Sequence, residues 1–233
     1  MDLIAESLPK LLTGAMYTLA LTVFAYAFAL VLGTVLAVFR VSPIPPLRWF
    51  GAVYVEIFRN IPLLSLLILI AHGLPDAGFL LSYFWSGVAG LTLSSAAFVC
   101  ENVRSGINTV PVGHAEAARS IGLGFFGTLR HVVLPQAFAA MVQPLVNVFI
   151  GTLLGSALCA AIAVNELTYV SQELSGRSAR AVIFFSFSGA IYLGVSLLAA
   201  YVGRRIEKAV SPATRRSVSA AKSTLDVKAG AQA

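Results

Sequence analysis

LLTGAMYTLALTVFAYAFALVLGTVLAVF, Leu11 to Phe39, runs for 29 residues without a charge between Lys10 and Arg40. A bilayer core about 30 Å thick needs roughly 20 apolar residues as helix. This run is long enough to cross with a tilt. The whole chain has the same bias. Hydrophobic residues make up 58% of its 233 and charged residues 11%, whereas a soluble domain carries about 25% charged residues. A soluble core cannot absorb that apolar excess, but a bilayer can. The length fits one membrane domain. The predicted fold is all-α, a polytopic membrane helix bundle.

Four more spans follow. Asn60–Pro75 is short and borrows the turn before it, with Glu56 and Arg59 near its start. Ala77–Cys100 is the third. The fourth lies within Val132–Asn165, which is too long for one span, and its helix is expected to start near Pro144, since proline suits a first turn. Ala181–Val202 is the fifth, 22 residues without a charge. Five spans put the termini on opposite sides. With the N-terminus outside, 13 basic residues face the cytoplasm and only Lys10, Arg177 and Arg180 lie outside. A re-entrant Asn60–Pro75 would leave four spans and both ends inside; the unequal basic residues on its two sides favour a crossing.

The net charge of +6 flanks apolar runs and builds no single basic face, so nucleic acid is not the expected partner. Cys100 and Cys159 sit inside apolar runs without a CxxC pair or a His cluster, so they read as buried thiols and no metal site is expected. The start is acidic at Asp2 and Glu6 and lacks a basic leader region, so no cleavable signal peptide is expected. The expected organisation is an outer segment 1–10, a membrane domain 11–207 and a disordered cytoplasmic tail 208–233. Beyond Val210 that tail is rich in Ser, Ala and Lys/Arg and has no apolar period.

The informative stretch is the 28-residue loop from Arg104 to His131. Long loops in compact proteins are usually functional. Thr109 can cap a helix whose first turn holds Pro111. Ala115, Ala117, Ala118 and Ile121 give that helix a small-residue surface, and Gly122 and Gly124 end it. Gly122 should take a positive φ. A second short helix then runs to Leu134-Pro135. Small residues permit close approach, and Glu116 offers one charged anchor for a docking partner.

Glu116-Ala117-Ala118, three residues, Gly122, nine residues, Val132, one residue, and Leu134-Pro135 resembles the EAA loop of ABC importer permeases, with Val132 in place of the usual isoleucine. Val55-Glu-Ile-Phe-Arg59-Asn-Ile-Pro62, Phe98-Val-Cys-Glu101-Asn-Val-Arg104 and Asn165-Glu166-Leu167 are similar to segments of the polar amino acid uptake branch. Within it, Ser105-Gly-Ile-Asn-Thr-Val followed by Ala115-Glu-Ala-Ala-Arg-Ser-Ile-Gly-Leu-Gly-Phe looks most like glutamate-type permeases of high-GC Gram-positive bacteria. The resemblance spans roughly Leu11–Glu207. It implies a type I importer permease fold in a bacterial cell membrane. It also implies a cytoplasmic ATPase dimer, a second permease subunit and an extracytoplasmic binding protein as partners. ATP is then bound by the ATPase, and this chain carries no cofactor. The implied coupling residues are Glu116, Ala117, Ala118, Gly122, Leu134 and Pro135. Leu154, Val148 and Asn165 depart from the branch, which often has lysine, glutamate and proline there; a heterodimer partner would then supply the missing contacts.

Glu56/Arg59 and Glu101/Arg104 are each spaced i, i+3 and can pair on one helix face. Ionisable residues near membrane depth are functional candidates by default. Their place near predicted helix ends favours structural ion pairs at the interface. Glu166 is expected to cap or anchor the loop after the fourth span, and His72 to be a satisfied polar group. Gly122 to Thr128 has the outline of a phosphate loop but lacks its lysine. Energy must therefore come from a partner or a gradient. A gradient-driven transporter predicts charge relays deep in the bilayer, and the spans are nearly charge-free. An intramembrane enzyme would need a Ser/His pair or paired aspartates within the spans, which are absent.

Overall fold

The computed structural model describes residues 2–210. From residue 211 the expected tail lies outside the described residues. The elements are α1 (Asp2–Val41), α2 (Pro45–Asn60), α3 (Leu63–Ile68), α4 (Leu74–Asp76), α5 (Tyr83–Asn108), α6 (Val112–Ser120), α7 (Phe125–Thr128), α8 (Leu134–Gly155), α9 (Leu167–Ser178) and α10 (Ala181–Val210). Wide π-type turns join α3 to α4 and α7 to α8, and a 3-10 segment, Ser156–Ile162, follows α8. No strand occurs among the described residues.

Four segments are long and apolar enough to cross a bilayer: Ser7–Val41, Tyr83–Asn108, Arg130–Ile162 and Ala181–Val210. Pro45–Asn60 and Leu63–Asp76 pass only as a pair, bent by 103°, and make a fifth span when counted together. Residues 2–10 are the first turns of α1, which continues through Pro9. The fourth span corrects the sequence reading. Its helix starts at Leu134 and runs through Pro144 without a break. A proline removes one backbone donor, but leaving the helix in lipid would strip several groups of partners, so the helix persists.

The described residues form two compact units, one from residues up to Arg104 together with Leu145–Ala199, the other from Ser105–Pro144 together with residues from Ala200 on. In the first, α1 is two-faced. Leu11, Thr18, Thr22, Ala25, Ala29 and Leu36 are buried at steps of three, four or seven, while Leu12, Met16, Leu19, Val23, Val31, Val35 and Val38 are exposed on the other side. The inward stripe is mostly small, as membrane helices need when packing rather than hydrophobicity holds them together. At Gly33 a Cβ would lie 2.7 Å from the Ala96 carbonyl oxygen, so only glycine lets α1 and α5 meet there. Leu21 and Ala25 pack with Leu67, Ala71, Val88, Leu91 and Cys159; Leu36 and Ala37 pack with Val55, Ala97 and Cys100. Both cysteines are buried and free. Ser95 and Thr152 share a hydroxyl hydrogen bond of 2.7 Å between α5 and α8, the type of polar contact worth about 0.6 kcal/mol in a membrane.

In the second unit, Ala137 and Met141 of α8 pack under Gly106, where a Cβ would meet the Met141 side chain at 2.3 Å. Gln143 donates to Glu207 of α10 at 3.0 Å.

Candidate functional site

The first of the two expected short helices forms as α6, with different punctuation at its start; the second, Phe125–Thr128, does not stop at Leu134-Pro135 but runs on through the π-type turns Leu129–Val133 into α8. Pro111, not Thr109, is the N-cap of α6. The Thr109 hydroxyl donates back to the Gly106 carbonyl at 2.7 Å and so closes the end of α5. At the other end Gly122 takes φ +90°. Its N–H donates to the Arg119 carbonyl at 2.9 Å and that of Leu123 to the Ala118 carbonyl at 3.1 Å, the paired bonds of a Schellman ending. Gly124 does not end α6. Its carbonyl accepts from Thr128 N–H at 2.9 Å and opens α7.

Glu116, Ala117 and Arg119 are exposed, Val112 is 73% exposed and Ile121 80%, while Ala118 faces inward. Glu116 has no ion pair among the described residues. His114 Nδ1 lies 2.8 Å from Gln136 Oε1 and ties α6 to the first turn of α8, where Leu134 and Pro135 are exposed. The six implied coupling residues therefore comprise one inward alanine, one turn glycine and four exposed positions.

The two expected ion pairs fare differently. Arg104 donates to Glu101 at 3.2 Å, and Arg40 at the end of α1 reaches the same carboxylate, a partner the sequence reading missed. Arg40 closes the first apolar run on the same side as Glu101, which was the available signal. Glu56 and Arg59 form no pair. The Asn60 amide donates to Glu56 at 3.1 Å, and the Arg59 guanidinium sits 5.7 Å from the centre of the Phe98 ring. All three polar residues are exposed, in the last turn of α2 before the bend.

Glu166 is the anchor its position suggested, with more partners than expected. It is fully buried and caps α9 by accepting from Thr168 N–H at 2.9 Å and Tyr169 N–H at 2.7 Å. Tyr192 of α10 donates to it at 2.8 Å and Thr18 of α1 at 3.4 Å. Burial pushes its carboxyl above the ordinary carboxylate range, and the bonds from Thr168, Tyr192 and Tyr169 pull the other way. No group of three or more His, Cys, Asp or Glu residues among those described could hold a metal ion.

The family of inner membrane components of binding-protein-dependent transport systems matches residues 29–216. The chain belongs to this family. It is therefore a multi-pass membrane transport subunit and not an enzyme. Its relatives include GlnM of Bacillus subtilis, a probable glutamine ABC transporter permease protein, 34% identical over 89% of this chain and 98% of its own length. GluC of Corynebacterium glutamicum, a glutamate transport system permease protein, is 37% identical over 68% of this chain and 75% of that one. A crystal structure of an amino acid ABC transporter with histidines is similar at a TM-score of 0.82 and 31% identity, covering 88% of this chain and 96% of that one. The expected type I importer permease fold agrees with that likeness.

Proposed function

We propose that this chain is the permease subunit of an ATP-driven importer of a polar amino acid, with glutamate the favoured substrate, coupled to a separate ATPase through α6. The observation that carries the coupling is the exposed Glu116–Ala117 face on a helix closed by a positive-φ glycine. The names of the glutamine and glutamate relatives support the substrate class. The 13-to-3 charge split supports an N-terminus outside and α6 in the cytoplasm. Leu154, exposed in the last turn of α8, carries no charge where the branch often has lysine, which favours a heterodimer with a second permease.

The test is co-purification of the ATPase with Glu116→Lys. The like charge placed against any basic ATPase residue should weaken docking by about 1–3 kcal/mol if the contact is desolvated. Permease abundance should stay normal while ATPase retention and uptake fall. Normal retention with normal uptake would refute the docking role. A competition panel in whole cells tests the substrate, and competition by sugars or metal ions but by no amino acid would overturn it.

A further inference from the structure

The fourth span changes helix type past Gly155. Ser156–Ile162 continues it as seven residues of 3-10 helix. Such runs seldom exceed three or four residues, because their hydrogen bonds are poorer, and a longer one inside a span marks a hinge or a strained sequence. The next residue, Ala163, takes φ 58° and ψ 32°. A left-handed alanine persists only where its surroundings hold it, and such residues collect at segments that switch. The two features stand back to back.

The elements on either side are firmly built. Glu166, the cap of α9, takes Thr18 of α1 and Tyr192 of α10, and the Leu167 N–H donates to the Thr18 hydroxyl at 3.1 Å. At Gly14 a Cβ would lie 3.1 Å from the Leu167 Cα, so α1 and α9 meet backbone to backbone. On the other side α8 is one unbroken rod from Leu134 to Gly155. Leu134 and Pro135, two of the implied coupling residues, form its first turn. The segment between rod and anchor is held more loosely. Ser156 donates to its own helix, at the Leu153 carbonyl, 2.6 Å away. Towards α5 the segment presents Cys159 to Gly87, where a Cβ would lie 3.1 Å from the sulfur. Small groups that do not interlock can part and slide. Each residue that passes from 3-10 to α-helix shortens the segment by about 0.5 Å and turns α8 against α9 by about 20°.

We propose that Ser156–Ile162 is a hinge that passes between 3-10 and α-helix during the transport cycle, so that a push on the docking loop turns α8 against the anchored α9 and parts Cys159 from Gly87. The inference adds to the proposed coupling role of α6 the joint that lets the span move.

Gly87→Cys tests it with a native partner. The would-be Cβ at position 87 lies 3.8 Å from the Cys159 Cβ, the usual separation in a disulfide. The assembled complex, with cysteine-free partner subunits, is oxidised with copper phenanthroline either free of nucleotide or trapped with ATP and vanadate. Mass spectrometry of the joined peptides should find the bond nearly complete in one state and severalfold scarcer in the other. In vesicles the locked complex should lose uptake of glutamate or glutamine, dithiothreitol should restore it, and the oxidised parent should keep it. Equal, complete yields in both states, or full uptake when locked, would overturn the hinge. So would a pair that joins in neither state. A parent that takes up neither amino acid would refute the proposed substrate class and leave the nucleotide comparison to decide the hinge. Ala163→Gly adds nothing to the core and covers the case in which Gly87→Cys fails to accumulate. It relieves the left-handed φ, so a purely structural Ala163 predicts unchanged uptake at equal or higher melting temperature. A hinge that must leave this backbone state predicts severalfold slower uptake at the same complex abundance, and parental uptake would overturn it.

Discussion

Glu166 and Glu116 are the same residue used in opposite ways. Glu166 is fully buried and accepts four hydrogen bonds from α1, α9 and α10. Glu116 stands exposed on a nine-residue helix with no ion pair among the described residues. A buried carboxylate is expensive unless every lone pair is used, so Glu166 must hold the fold. An exposed one costs nothing to leave free, so Glu116 is available to a partner. The difference teaches that the two glutamates should separate stability from coupling.

The largest effect should come from Glu166→Ala. It leaves the backbone N–H groups of Thr168 and Tyr169 without their acceptor and the Tyr192 hydroxyl with only the Thr168 hydroxyl, 3.3 Å away. Each buried donor left without its acceptor costs about 1–3 kcal/mol, and α9 loses its cap as well. The permease should be scarce in the membrane and melt at lower temperature in detergent. Normal abundance and unchanged melting would break the contrast, because Glu166 would then not be holding α9. Tyr192→Phe should cost less, about 1–2 kcal/mol, since it removes one donor and leaves the carboxylate three others.

Gly122→Val comes next. No atom lies within 4 Å of its would-be Cβ, so the whole cost is the φ of +90°. A β-branched residue there is strained by roughly 1–3 kcal/mol. The strain sits at the end of an exposed short helix, so the permease should accumulate while ATPase retention and uptake fall. Gly122→Asn, which tolerates the left-handed region, should recover most of both. Equal losses in the two variants would mean that φ is not what the position requires.

Much of this was legible in the sequence because the signals were local. Apolar run lengths gave the spans, and the positive φ of Gly122 and the capping role of Glu166 followed from residue type and place. What was hidden depends on contacts far apart in the chain. Pro144 looks like a helix start until the lipid's demand for continuous backbone bonding is weighed. Arg40 joins Glu101 across 61 residues, and Glu56 takes the Asn60 amide while Arg59 lies over the Phe98 ring. The spacing i, i+3 says that two side chains can meet, not that nothing else competes for them.

Gly124 gives the smallest and sharpest test of that distinction. Both glycines were expected to end α6, yet only Gly122 has positive φ. Gly124 has no neighbour within 4 Å of a would-be Cβ and contributes only a carbonyl to the first bond of α7. A glycine in an ordinary conformation at a helix start is readily replaced. Alanine there should shift stability by no more than a few tenths of a kcal/mol, and serine, which can cap, should if anything help. Uptake and ATPase retention in Gly124→Ala should match the parent, beside the loss in Gly122→Val. If Gly124→Ala fails as badly as Gly122→Val, the loop is sensitive to any side chain between its two helices. Bulk against the docked partner, not backbone handedness, would then be what the glycines supply.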